Sequence, residues 1–240
     1  MRFDNRQLTD LRPITLERSP LRHAEGSALI RMGDTHVLCA VTVQNSVPRW
    51  RQSSGKGWLT AEYALLPRAT HSRTPRSHIN GGRAQEIRRL IGRSLRRAVD
   101  LDLLGERTLW VDCDVLQADG GTRTAAINGG YVAVALALHT LIENGDVPAA
   151  TLLPPIAALS VGLVEGEALT DLAYVEDSAA QVDLNVVMNA TGQFIEVQGT
   201  AEGTPMERAA LDNLLDLAAA GIGDIVHIQR EALACAGITV

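Results

Sequence analysis

The segment Asp119-Gly120-Gly121-Thr122-Arg123-Thr124 lies between a β-branched run and a long apolar run. Two glycines there let the backbone approach a ligand closely, and the first N–H groups of a helix have no intrahelical partner. A junction of this kind takes an anion, and the planar fork of Arg123 suits phosphate. The helix dipole alone contributes roughly 0.3–1 kcal/mol, so Arg123 is expected to dominate. The same pattern also reads as a tight turn with Thr122 or Asp119 as the helix N-cap. It is not a P-loop, because the GxxxxGK[ST] spacing and its lysine are missing. Gly81-Gly82-Arg83 repeats the arrangement before a second helix. Together the two sites would suit a phosphate held between two helix N-termini by two arginines.

A second group is acidic. Glu176, Asp177 and Ser178 precede a strand-like run that carries Asp183. In that run Val182, Leu184 and Val186 point one way, and Asp183 and Asn185 the other. If the turn at Thr191-Gly192 sets the register, Asp183 and Asn185 face Thr200 and Gln198. The polar surface reads either as a solvated hairpin face or as a hard-cation site, since Mg²⁺ takes one or two carboxylates plus water and substrate phosphate. No His/Cys spacing suits zinc, and no GxSxG elbow or Cys–His pairing stands out.

The elements that must position these groups follow from periodicity. Residues 14–18, 27–31, 34–42, 58–66 and 108–116 read as strands. Residues 83–104 read as one helix with an apolar stripe at Ile87, Leu90, Ile91, Leu95 and Ala98, and Arg88, Arg89, Arg93, Arg96 and Arg97 on the other side. Residues 124–142 read as a helix apolar on nearly all sides, hence buried. Its longest apolar stretch, 131–142, is interrupted by His139 and Thr140 and is too short for a bilayer. A Pro-rich stretch at 147–155 divides the chain. Beyond it, residues 156–164 with 168–172, and 182–188 with 194–200, read as two hairpins. Pro205, with Thr204 as N-cap, starts a helix over 206–220 that Gly221 ends, and a last helix spans 222–234. The order implies an α+β fold.

The charge distribution sharpens this reading. The 240 residues carry a net charge of -6, yet residues 1–123 hold +7 and residues 124–240 hold -13. Twenty-one of the 22 basic residues are arginine, which a GC-rich genome would also produce. Genome composition does not explain where they sit: nine arginines and a single acid, Glu86, lie between Leu66 and Ala98. Residues 67–82 form a polar, aperiodic loop with Arg68, Arg73, Arg76, His71 and His78, long for a compact fold. Its arginines suit phosphate contact, whereas the helix arginines suit a solvated or subunit-contacting face. The three cysteines, Cys39, Cys113 and Cys235, read as reduced thiols. The first thirteen residues contain no apolar core of a signal peptide, so the cytoplasm is the expected compartment and no membrane partner is expected.

Five motifs, in order, resemble the ribonuclease PH family: KGWLTAEYALLPRATHSR, GGRAQEIRRLIGRSLRRAVD, DCDVLQADGGTRTAAINGG, YVEDSAAQVDLNVV and IEVQGTAEG. The resemblance covers residues 9–232, and leaves a tail, 233–240, outside it. It implies a single domain over 1–240, α+β with two βαβ-like halves of mixed sheets and helices. It implies a phosphate-dependent 3′→5′ exoribonuclease that trims transfer RNA precursors, with inorganic phosphate as co-substrate, nucleoside diphosphates as products and Mg²⁺ present. Bacterial members assemble as homohexamers, trimers of dimers. Arg83, Gly121, Thr122 and Arg123 match the family's phosphate-binding positions. Asp177 and Asp183 match its acidic positions, which hold Mg²⁺ or act as general acid. Arg68, Arg73 and Arg76 match its RNA-binding loop arginines. The stretch between Arg76 and Gly81 is shorter than in many members. The competing reading is an inactive RNA-binding ring subunit of an exosome-like assembly, which would have lost a phosphate or carboxylate position; all six are present.

Overall fold

The computed structural model describes residues 2–77 and 81–240. Strands β1 (Ile14–Arg18), β2 (Gly26–Met32), β3 (Thr35–Gln44), β4 (Trp58–Leu65) and β5 (Thr108–Gln117) form one sheet in the order β1-β2-β3-β5-β4. Only β4 and β5 run parallel, and helix α1 (Gly82–Leu95) makes the crossover between them. A single turn, α2 (Leu101–Leu104), leads into β5. Helix α3 (Thr122–Glu143) follows β5. The second sheet, β7-β6-β8-β9, is antiparallel throughout, with β6 (Ile156–Val164), β7 (Glu167–Thr170), β8 (Val182–Asn189) and β9 (Phe194–Ala201). A turn of helix, α4 (Tyr174–Asp177), joins β7 to β8, and α5 (Arg208–Ala234) closes the chain. The fold is α+β, with strand positions close to those the periodicity predicts.

Helix α3 packs against β2 and β3 of one sheet and β6 of the other. It is apolar on nearly all sides because both faces are covered. By length and composition this helix could cross a bilayer, but most of it is buried inside the fold. Its one buried amide, Asn128, joins the two sheets. Asn128 Oδ1 accepts from Ala158 N at 2.7 Å, and Nδ2 donates to Ala158 O at 2.9 Å. Those backbone groups need a partner because β7 pairs only with Val161–Val164 of β6.

Three expectations change. The helix over 83–104 breaks after Leu95 into a 3-10 turn, Arg96–Ala98, because Val99 turns extended to pair with Leu152. The Asp100 carboxylate then caps α2, accepting from the N–H groups of Asp102 and Leu103. The two helices expected over 206–220 and 222–234 are one. Gly221 does not end the first; it lets α5 approach β6, and a Cβ there would lie 2.5 Å from Leu159 Cδ2. The helix starts late, after a turn at Glu202–Thr204, so Thr204 is not its cap. The Pro-rich stretch is pinned to the α1–α2 joint through Asp100 N to Thr151 O and Leu153 N to Ala98 O. The tail is anchored by Ile238, which is buried.

Cys39 and Cys113 face each other across β3 and β5 as buried free thiols, and Cys235 is exposed. Contact with the Cys39 thiol, then burial, pushes the Cys113 thiol well above its usual range. It is an inert core side chain rather than a nucleophile.

Candidate active site

The βαβ crossover brings the N-termini of α1 and α3 to one end of the first sheet, and the β7–β8 connection meets them there. Between them lies a cleft of about 600 Å³. Arg76, Arg83, Gly121, Thr122, Arg123, Asp177 and Asp183 line it, seven of the nine residues singled out from sequence. Arg68 and Arg73 do not. Arg68 folds back on its own loop, donating to His71 O at 2.8 Å. His71 itself reaches the cleft. His78 and most of the short stretch between Arg76 and Gly81 lie outside the described residues.

The Gly120-Gly121 pair is required by backbone geometry. Both residues have positive φ, 72° and 63°. A Cβ on Gly120 would lie 2.7 Å from Leu172 O and 2.8 Å from Tyr174 N, both backbone atoms. The N-cap position of α3 is Gly121, and no side chain caps the helix. Asp119 Oδ1 accepts instead from Tyr174 N at 3.3 Å, and the Thr122 hydroxyl is hydrogen-bonded to Tyr63 Oη at 2.8 Å. The reading of Thr122 or Asp119 as N-cap is therefore overturned. No described hydrogen bond uses the N–H of Thr122 or Arg123, both of which line the cleft, and such first-turn donors are what an anion site needs.

Arg123 is aimed across the cleft by two side chains that sequence reasoning did not link to it. Its Nη1 donates to Gln198 Oε1 of β9 at 2.9 Å and lies 3.4 Å from Glu86 Oε1 of α1. Gln198 Nε2 donates to the same Glu86 oxygen at 3.1 Å. No described hydrogen bond uses the Nε or Nη2 of Arg123, so one edge of its fork faces the cleft for an anion. Arg83 is exposed at the start of α1.

The carboxylates meet opposite. Asp183 pairs in register with Thr200, and Asn185 with Gln198, as the turn register predicts. Asp177 ends α4. Burial raises the Asp177 carboxyl above its usual range despite the pull of Arg83, Arg123 and Arg12. Burial, then the charge of Asp177, raises Asp183, with Arg123, Asn185 and Arg83 opposing. Two half-buried carboxylates that repel each other offer a cation an oxygen-only donor set, which suits Mg²⁺. Among the described residues no group of three His, Cys, Asp or Glu side chains forms a closed metal cage. Tyr63 and Ser160 also line the cleft and were not found from sequence. The alternation of β4, which turns Leu59, Ala61 and Tyr63 inward, is the signal that would have found Tyr63.

Most helix arginines are structural. Arg88 pairs with Glu62 at 2.9 Å and Arg93 with Glu196 at 2.8 Å. Arg96 lies 4.4 Å above the Trp58 ring and donates to Leu59 O.

Residues 10–138 match the model of the 3′ exoribonuclease family, domain 1, and residues 154–221 match its domain 2. Ribonuclease PH of Moorella thermoacetica is 57% identical over 236 residues, 97% of this chain and 94% of that one. The chain belongs to the ribonuclease PH family of 3′ exoribonucleases. It is therefore a phosphate-dependent 3′→5′ exoribonuclease. Among solved structures, rice (Oryza sativa) Rrp46 superposes with a TM-score of 0.79 at 23% identity, covering 97% of this chain and all (100%) of that one. The Archaeoglobus fulgidus exosome with RNA bound to the active site superposes at 0.77 with 24% identity, covering 93% and 91%. At these identities the two confirm the fold alone.

Proposed function

We propose that this enzyme trims the 3′ ends of transfer RNA precursors and other RNAs, with inorganic phosphate bound by Arg83, Arg123, Gly121 and Thr122. The observation that carries the site assignment is the uncapped N-terminus of α3, with the free edge of the Arg123 fork beside it and two carboxylates opposite. A phosphate there is held by backbone N–H groups and by arginine. One of its oxygens attacks the phosphorus of the terminal phosphodiester in line. The bond to the departing 3′ oxygen breaks, and that oxygen takes a proton. The products are a nucleoside 5′-diphosphate and an RNA one nucleotide shorter. A phosphodiester is exchanged for a diphosphate, so the step is reversible. The protein supplies positioning and preorganised charge.

Asp177 and Asp183 are the residues that would hold Mg²⁺, which when bound supplies positive charge between two phosphate groups that otherwise repel. The 3′ oxygen takes its proton from one of the two carboxyls when that group is not holding the cation, and Asp183, whose carboxyl burial and the charge of Asp177 hold above the usual range, is assigned that role. Arg76, which lines the cleft, is assigned with Arg68 and Arg73 of the same loop to the RNA backbone. A homohexameric ring, a trimer of dimers, is the proposed assembly. It is supported by Arg89 and Arg97, which are exposed and make no ion pair among the described residues. The reducing cytoplasm is the proposed compartment, supported by the free thiols.

The test is a 3′-extended transfer RNA incubated with phosphate and Mg²⁺, then with a chelator added. Shortening to the mature end that stops with the chelator supports the reading. Shortening unaffected by chelation removes the metal from it, and an intact extension removes the transfer RNA substrate.

A further inference from the structure

The loop that forms the anion site does not hold its own shape. Its carbonyls are tied to residues far away in sequence. Arg12, which is 4% exposed, donates from Nη1 to Asp119 O. Its Nε and Nη2 donate to the fully buried Asp171 carboxylate at 3.0 and 2.7 Å, and its main-chain N donates to the same carboxylate at 2.8 Å. Thr35, fully buried at the start of β3, donates its hydroxyl to Gly120 O at 2.6 Å and accepts from Asp119 N at 2.9 Å. In a trans peptide the C=O and the following N–H point in opposite directions. Tying the carbonyls of Asp119 and Gly120 to the protein side therefore turns the N–H groups of Gly120 and Gly121 away from it, and both glycines line the cleft. No described hydrogen bond uses either N–H.

The same N-terminal strap reaches the other wall of the cleft. Arg2 makes a two-bond pair with Glu176 at 2.7 and 2.6 Å, and donates to Thr170 O and Asp171 O. Glu176 precedes Asp177. Residues 2–12 thus fasten the α3 loop and the α4 turn to one another through Asp171.

We propose that Arg12 and Thr35 are positioning residues for phosphate, fixing the peptide planes of Asp119-Gly120-Gly121 so that their N–H groups face the attacking anion. The inference rests on the assignment of this cleft to phosphate. Because the Arg12 charge is balanced by Asp171, its role is geometric rather than a general attraction for anions. Lysine at position 12 keeps the charge but cannot span Asp119 O and both Asp171 oxygens at once. Serine at position 35 keeps the hydroxyl, and valine keeps the shape without it.

The experiment measures KM for inorganic phosphate, KM for RNA and kcat for the Thr35→Val, Thr35→Ser, Arg12→Lys and Arg123→Ala enzymes. Thr35→Val is expected to raise the phosphate KM about tenfold, the effect of misdirecting one or two hydrogen bonds to an anion. KM for RNA should stay within about twofold, and Thr35→Ser should restore the phosphate KM. Arg12→Lys should raise it as well. Phosphate-induced thermal stabilisation of each variant without RNA gives a second readout: its midpoint should move with KM. Equal phosphate KM in Thr35→Val and wild type, or equal elevation in Thr35→Val and Thr35→Ser, overturns the proposal. A lowered melting temperature with an unchanged phosphate midpoint does the same, since that is what mere structural support would give. A phosphate kcat/KM in Arg123→Ala that stays within about tenfold of wild type would instead overturn the assignment of the cleft.

Discussion

Replacing Arg123 by alanine tests the proposed phosphate site at the side chain expected to contribute most to it. Of the five N–H groups of its guanidinium, the two on Nη1 face Gln198 and Glu86, which leaves three for a substrate anion. A bidentate contact uses two of them. Hydrogen bonds to charged groups contribute about 1.5–3 kcal/mol each, so the variant should lose about 3–6 kcal/mol, or roughly 10²- to 10⁴-fold in kcat/KM for phosphate. The removal also leaves the Glu86 carboxylate facing an incoming phosphate, which pushes the loss toward the upper end. Stability should change little, because the Glu86 pair is partly exposed and Gln198 still donates to Glu86. RNA binding should persist through the loop arginines. The assay is release of nucleoside diphosphate from a short RNA as phosphate is varied, with RNA affinity measured in parallel. A folded variant whose kcat/KM for phosphate stays within about tenfold of wild type would refute the placement of phosphate at Arg123.

Three other outcomes follow from the same geometry. Replacing Arg68, Arg73 and Arg76 together by alanine should lower the log–log salt slope of RNA binding by about 2, at roughly 0.7 per lost phosphate contact; an unchanged slope removes the loop from the RNA path. Asn128→Leu strips the partners from Ala158 N and O inside the core, and should cost about 2–6 kcal/mol in urea unfolding; a cost below about 1 kcal/mol would show that the two sheets do not depend on this amide. Asp112 lies two residues from Asp114 and opposite Glu62 in the sheet, and partial desolvation, then these charges, hold its carboxyl above 3.8 although the residue reaches solvent. The folded state binds that proton more tightly than the unfolded chain, so stability falls as pH rises from 3.8 through the raised folded-state value. Asp112→Asn should therefore raise the melting temperature at neutral pH and give no gain below 3.8; a gain that persists in acid would contradict this.

What could be read from the sequence was local. The β8–β9 register followed from alternation and a turn, so Asp183 and Asn185 were matched correctly to Thr200 and Gln198. The apolar stripe of α1 was visible at i, i+3, i+4 spacing, and Ile87, Leu90, Ile91 and Leu95 are buried. The anion site was visible as a strand, two glycines and a helix. What escaped was set by partners distant along the chain. Gly221 looks like a helix stop until β6 is known to lie against it. Arg2 and Arg12 look like charges on a polar N-terminus, because Glu176 and Asp171 lie 174 and 159 residues away. Gln198 and Glu86 come together with Arg123 only when β9 packs near α1. Neither Asp119 nor Thr122 caps α3, because they bond to Tyr174 and Tyr63 instead, contacts that no local pattern announces.

On the proposed mechanism inorganic phosphate, not water, attacks the RNA end in this cleft. Incubating the enzyme with RNA and radiolabelled inorganic phosphate tests it directly. Every released nucleotide should be a diphosphate carrying the label in its β-phosphate, and release should stop when phosphate is withheld. Unlabelled nucleoside monophosphate, released at the same rate without phosphate, would contradict it.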